Sequence, residues 1–347
     1  MRRHPTLLAA AFATLLLQAP AHAQTIDLKV MGQPGSTGLI QKNFEQPFFE
    51  KLAEETGLDV NVTYTPVDVT GVKDSEQLRI IKNGLFDIIS LRLSQVSRDE
   101  PTILGLDLVG QNPDYATGKK TIDAFMPVVD KQLQEKFNTK LLGVWPFGPQ
   151  VLFCEPEISE LADLSGNKVR VYDQSLANFV SSVGGTPVTL SFSEVHQSLA
   201  RGVIDCAITG PSSANTAGWP EETNYMLPIA FQIAVQGYGI NLNTWNKFSP
   251  EQQETLQAAF DKLTSEIWTY SEEIFNDAVR CNVGEEPCET VKLYHLKRVP
   301  ISDADKETIQ GALKNISFPA WKEICDKVNP TCSQDWLDTV GVALGFE

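Results

Sequence analysis

The stretch NKVRVYDQSLANFVSSVGGTPVTLSFSEVHQSLARGVIDCAIT, residues 167–209, reads as strand, helix, strand, helix, strand. NKVRVY and PVTLS are short β-prone runs, and QSLANFVSSVGG has helical spacing closed by Gly184 and Gly185. Ser191 to Glu194, SFSE, fits a capping box at the head of the helix EVHQSLARG, and VIDCAIT follows as one more strand. Strands that alternate with helices imply an α/β fold with parallel pairing. One residue does not fit a buried strand: Arg170 sits among Lys168, Val169, Val171 and Tyr172. A covered guanidinium without a partner costs several kcal/mol, so either a carboxylate of the chain, such as Asp173, or a group from outside must meet it.

The same rhythm precedes this stretch. In TIDLKVMG, Ile26, Leu28 and Val30 alternate with polar residues as in a half-buried strand, and Ile40, Phe44, Phe48 and Leu52 then recur every four residues up to a helix stop at Gly57. DVNVTYTPV, the helix SEQLRIIKNGL and the strand FDIISLRL, ending near Arg92, continue the pattern. DYATGKKTIDAFMPVVDKQLQEKF reads as a helix and KLLGVW as a strand; after PFGP the rhythm restarts with QVLFCE. Two successive α/β units suggest two lobes joined by crossing strands. Ser249 to Gln252, SPEQ, opens a long helix with apolar residues at Leu256, Phe260, Leu263, Ile267, Tyr270, Ile274 and Ala278. Some thirty residues of helix reach ~45 Å, enough to bridge both lobes.

Residues 1–23 carry Arg2 and Arg3, an apolar run and a small-residue AHA end, the layout of a secretory leader cleaved before Gln24. The chain is therefore expected to be exported. Its formal charge of −16 becomes −18 when the two leader arginines, and no acid, are lost. Such a balance argues against nucleic acid or anionic lipid as partner, but a local cationic pocket can still take an anion. Hydrophobic content of 42% and charged content of 21% are those of a globular protein. Six cysteines in an exported chain invite disulfides. Fifteen pairings are open; short-range stapling favours Cys281 with Cys288 and Cys325 with Cys332, leaving Cys154 with Cys206.

The catalytic inventory is thin. Outside the leader only His196 and His295 remain, no G-x-S-x-G or H-E-x-x-H occurs, and Pro113 stands where a phosphate loop would need its first glycine. Neither a metal site nor a cofactor motif is legible. Binding is better supported. VWPFGPQ places Trp145, Phe147 and Gln150 where one lobe hands over to the other, as aromatic walls and an amide of a cleft or, for the two rings, as core residues. Arg92, at the end of a first-lobe strand, either faces that cleft or pairs at the surface with Asp99 or Glu100.

Residues 161–211, LADLSGNKVRVYDQSLANFVSSVGGTPVTLSFSEVHQSLARGVIDCAITGP, resemble the signature segment of the DctP-type substrate-binding proteins of tripartite ATP-independent periplasmic (TRAP) transporters. The shared features are a GxKxRV motif, then GGxPV, then an EVyxALxxGxxD pattern; INLNTWNKFSPEQQ is similar to the family's stretch before its lobe-spanning helix. The resemblance implies a two-lobed flytrap: 24–147 with about 234–268 in lobe I, and 148–233 with about 269–347 in lobe II. It implies that Arg170 grips a substrate carboxylate, and that the receptor hands an organic acid to membrane permease subunits. Several members carry a second arginine twenty residues earlier, where this chain has Gln150, which points away from a dicarboxylate or sialic acid and towards a monocarboxylate. Where many relatives read DGQENP, this chain reads DCAITGP, with Thr209 and Ser212 as local candidates. The rival reading is a periplasmic enzyme acting on a carboxylate substrate, with His196 or Glu194 as base.

Overall fold

The computed structural model describes residues 25–346, so the leader expected at residues 1–23 lies outside the described residues. Eleven strands are described: β1 Ile26–Gly32, β2 Val60–Pro66, β3 Ile88–Leu91, β4 Thr139–Pro146, β5 Val151–Cys154, β6 Lys168–Val171, β7 Thr186–Thr189, β8 Cys206–Thr209, β9 Tyr225–Leu227, β10 Val235–Asn241 and β11 Lys297–Arg298. They form two sheets, ordered β2-β1-β3-β10-β4 and β11-β9-β5-β8-β6-β7.

In the first sheet β1 runs parallel to β2 and β3, as the alternation of strand and helix demands, while β10 is antiparallel to β3 and β4. In the second, β6 runs parallel to β7 and β8, and β5 is antiparallel to β8 and β9. Helices cover the faces. Gln46–Thr56 buries Phe49 and Leu52 and ends at Gly57 in the left-handed conformation (φ 69°). Tyr115–Phe137 is capped by Asp114, whose carboxylate accepts the Thr117 N–H, and Gln174–Ser182 is capped by Asp173 in the same way. The SFSE capping box is present, with the Glu194 side chain accepting the Ser191 N–H at 3.0 Å.

The chain passes between the sheets at 147–150 and again at 228–234, and these crossings hydrogen-bond to each other. Phe147 and Gly148 donate to the carbonyls of Ala234 and Ile233 at 3.0 Å, and Gln150 donates to Gln232 at 2.7 Å. The helix Pro250–Val283, 34 residues and about 50 Å long, ties the two halves together. Its Trp268 indole donates to the Val144 carbonyl in the first sheet, while Asn282 donates to the Pro211 carbonyl beyond the second. The C-terminal helices Phe318–Val328 and Cys332–Trp336 lie against 101–106, where Trp321 and Trp336 donate to the carbonyls of Pro101 and Gly105. Three disulfides form, and they follow the local pairing: Cys154–Cys206, Cys281–Cys288 and Cys325–Cys332. The first joins directly opposed residues of β5 and β8. No helix among the described residues is long and apolar enough to cross a membrane.

Candidate functional site

Arg170 lies on β6 between β7 and β8 and is 1% exposed. Its Nε donates to the Leu190 carbonyl at 3.2 Å and Nη1 to the Ile208 carbonyl at 2.9 Å. Nη2 is buried and has no hydrogen-bond partner among the described residues. Its guanidinium carbon stands 5.3 Å from the Tyr172 ring centroid and 5.7 Å from that of Trp219, favourable cation–π distances. Burial, and then the like charge of Arg92, bring its pKa down to about 10, which still leaves it a cation at neutral pH.

The internal partner that the sequence left open, Asp173, does not pair with it. No ion pair to Arg170 exists among the described residues within 4.0 Å. Asp173 spends Oδ1 on the helix cap, accepting the Leu176 N–H at 2.9 Å, and its Oδ2 is buried without a partner. Desolvation pushes that carboxyl up to about 7. Across the crossing strands a second buried acid, Asp107, accepts the N–H groups of Ile233 (3.1 Å) and Ala234 (2.8 Å) and is raised to about 6, again by burial. Ala234 is held there with φ 51°, a conformation that these bonds help to hold in place.

Arg92 follows β3 and is 5% exposed, and neither Asp99 nor Glu100 is its partner. Asp99 is exposed, and Glu100 is paired with Lys136 at 2.8 Å. Arg92 instead donates from Nη1 to Gln33 Oε1 at 3.2 Å and lies 3.6 Å from Asp74. Its guanidinium stands 5.9 Å from the ring centroids of Phe147 and Phe192.

These residues surround a narrow pocket between the two sheets. Arg92, Phe147, Gln150, Arg170 and Thr209 all line it. Gln150 is set by the crossing, with Nε2 donating to the Gly148 carbonyl at 2.7 Å. Trp145 and Ser212 do not line it. Trp145 is fully buried behind Phe147 (ring centroids 5.0 Å) and against Tyr238 (6.0 Å), and on the short helix Pro211–Thr216 it is Ser213 that turns inward. Sequence reasoning did not single out Tyr172, Phe192 or Gln236 as lining residues. The first two lie inside the stretch that decides the fold, beside Arg170 and in the capping box. A wider groove adjoins the pocket through Ser94, Gln95 and Tyr172. No cluster of His, Cys, Asp or Glu able to hold a metal ion occurs among the described residues.

Two α/β sheets, a paired crossing and a buried cationic pocket between them define a two-lobed solute-binding receptor. The chain belongs to the DctP family, bacterial extracellular solute-binding protein family 7, whose model matches residues 34–315. This is a family of binding proteins for transport, which sets aside the enzymatic reading. The sialic acid-binding periplasmic protein SiaP of Vibrio cholerae is 23% identical over 317 residues, covering 90% of this chain and 92% of that one. Among solved structures, a Bordetella pertussis extracytoplasmic solute receptor binding pyroglutamic acid superposes with a TM-score of 0.79 at 17% identity, covering 91% of this chain and 99% of the other. A TRAP solute-binding protein from Desulfovibrio salexigens with bound orotic acid also scores 0.79, at 14% identity and the same coverage. At these identities the structural likeness establishes the fold.

Proposed function

We propose that this receptor captures a small monocarboxylic acid in the pocket between its lobes and delivers it to the membrane permease subunits of a TRAP transporter. The observation that carries the reading is the Nη2 group of Arg170, a charged donor buried in the pocket with no acceptor from the described chain. A carboxylate supplies that acceptor and gains charge-assisted hydrogen bonds in a site where water screens little. Arg92 and Arg170 approach from opposite sheets and repel each other across the pocket. An anion between them converts that repulsion into attraction for both walls. Its preference for the closed arrangement is what would drive closure. No covalent step, cofactor or metal is needed.

The relatives support an acid: their names give sialic acid, pyroglutamic acid and orotic acid, and others carry L-gulonate and β-D-glucuronate. Gln150, in place of a second arginine, favours a single carboxylate. The test is a thermal-shift screen of organic acids on the wild-type protein and Arg170→Ala. Ligand at a hundred times Kd stabilises by about 2.7 kcal/mol, so the wild type should show clear upward shifts that the variant lacks. Equal shifts in both proteins would remove Arg170 as the anchor.

A further inference from the structure

Resting on the reading of this pocket as the acid site, we infer that the bound acid carries a second polar group, a lactam N–H or a hydroxyl, whose hydrogen is accepted by Gln236 Oε1. Gln236 lies on β10, is 4% exposed and lines the pocket with Arg92, Arg170 and Gln150. Its amide is oriented by the chain: Nε2 faces the Ala234 carbonyl at 3.4 Å, and turning the amide over would set oxygen against oxygen. Oε1 is thereby directed away from that carbonyl, and it is buried with no hydrogen-bond partner among the described residues. The pocket thus holds two groups whose needs are fixed and opposite, a cationic donor at Arg170 Nη2 and a neutral acceptor at Gln236 Oε1. A plain alkyl carboxylate satisfies the first and leaves the second buried and bare. An acid with an N–H or O–H beside its carboxylate satisfies both. The hydroxyls of Thr209 and Ser213 rotate to give or accept, so they do not impose this choice.

A purely structural role for Gln236 has one specific form. Its cross-strand neighbour Trp145 has a buried indole N–H that also lacks a partner. A side-chain rotation that joined the two would consume the acceptor and leave the pocket indifferent to the ligand's second group.

Titration calorimetry with matched acids separates these accounts. The probes are pyroglutamate against the lactone in which ring oxygen replaces N–H, and lactate against 2-methoxypropionate, with propionate as the plain acid. Wild-type protein should bind the donor-bearing member of a pair at least about tenfold tighter. Gln236→Met should abolish that advantage, with the donor-free member bound no more weakly than by wild type, because the acceptor that such an acid leaves bare is gone. Equal binding within the pairs by wild type, or a loss by Gln236→Met that is the same for both members, overturns the inference while the acid reading stands. If no probe binds the wild type, or all bind Arg170→Ala equally well, the acid reading fails and this inference falls with it.

Discussion

Replacing Asp173 by Asn tests, through stability alone, whether Arg170 is free for a ligand. The Asp173 carboxyl is buried, spends one oxygen on the Leu176 N–H and leaves the other without a partner. Desolvation raises it to about 7, and the neighbouring charge of Asp107 adds to the rise. A raised carboxyl is costly when ionised in the folded state. Its contribution to stability is therefore whole below the unfolded value of about 4 and drains away as pH climbs through about 7. Between about pH 5 and pH 8 this linkage amounts to ~2.5 kcal/mol, or some 5 °C of melting temperature in a protein of this size. Asn keeps the capping oxygen and cannot ionise. Asp107, raised to about 6, titrates in both proteins and cancels from the comparison apart from its coupling to Asp173. Ligand-free wild type should thus lose about 2.5 kcal/mol more stability than Asp173→Asn on going from about pH 5 to pH 8, followed by urea or thermal denaturation. If Asp173 were instead the internal partner of Arg170, its carboxyl would be depressed. The extra loss would then appear on acidification, and the Asn variant would be the weaker protein at neutral pH. Parallel pH profiles, or that reversed slope, would refute the reasoning.

Three further outcomes follow from the geometry. Arg92→Met should weaken acid binding by about tenfold in titration calorimetry, because one of the two cations drawing the anion is gone; an unchanged affinity would place the ligand out of Arg92's reach. Removing the Cys154–Cys206 bridge with paired alanines should cost up to about 4 kcal/mol in urea unfolding, against about 2 for Cys281–Cys288, because the sequence separations they close are 52 and 7 residues; equal losses would contradict a loop-entropy origin. Gly148→Ala should cost about 2 kcal/mol and also weaken binding, since Gly148 has φ 100° and a Cβ there would meet the Tyr115 hydroxyl at 2.2 Å, displacing the crossing that sets Gln150. A variant that melts and binds like wild type would show the crossing to be tolerant.

Much of the fold was legible because its strands and helices announce themselves locally. β1, β6 and β8 have the expected runs, and the capping boxes at Ser191 and Ser249 mark helix starts by chemistry that needs only four residues. β10 was not singled out because VQGYGIN is buried on every residue, so no alternation betrays it. Gly237 and Gly239 replace side chains where Leu93, Leu141 and Leu91 press on the strand. Gln236 stayed hidden with it. Arg170 was visible for the opposite reason, a permanent charge inside an apolar run. Trp145 and Phe147 look alike in sequence, and only the packing of Trp145 edge-on to Phe147 and against Tyr238 sends one to the core and the other to the pocket. Ser213 rather than Ser212 faces inward because Pro211 begins a helical turn immediately after Gly210, and the register of that turn cannot be read without its start. The acid clamp of Asp107 on Ile233 and Ala234 joins residues 126 and 127 positions apart, a separation over which local patterns carry no information.

A crystal structure of the protein with its bound acid tests the central claim most directly. The account places the ligand carboxylate within hydrogen-bonding distance of Arg170 Nη2, with the Leu190 and Ile208 carbonyls still holding the rest of the guanidinium. A ligand carboxylate seated elsewhere, with Arg170 turned onto Asp173 or another acid of the chain, would contradict it.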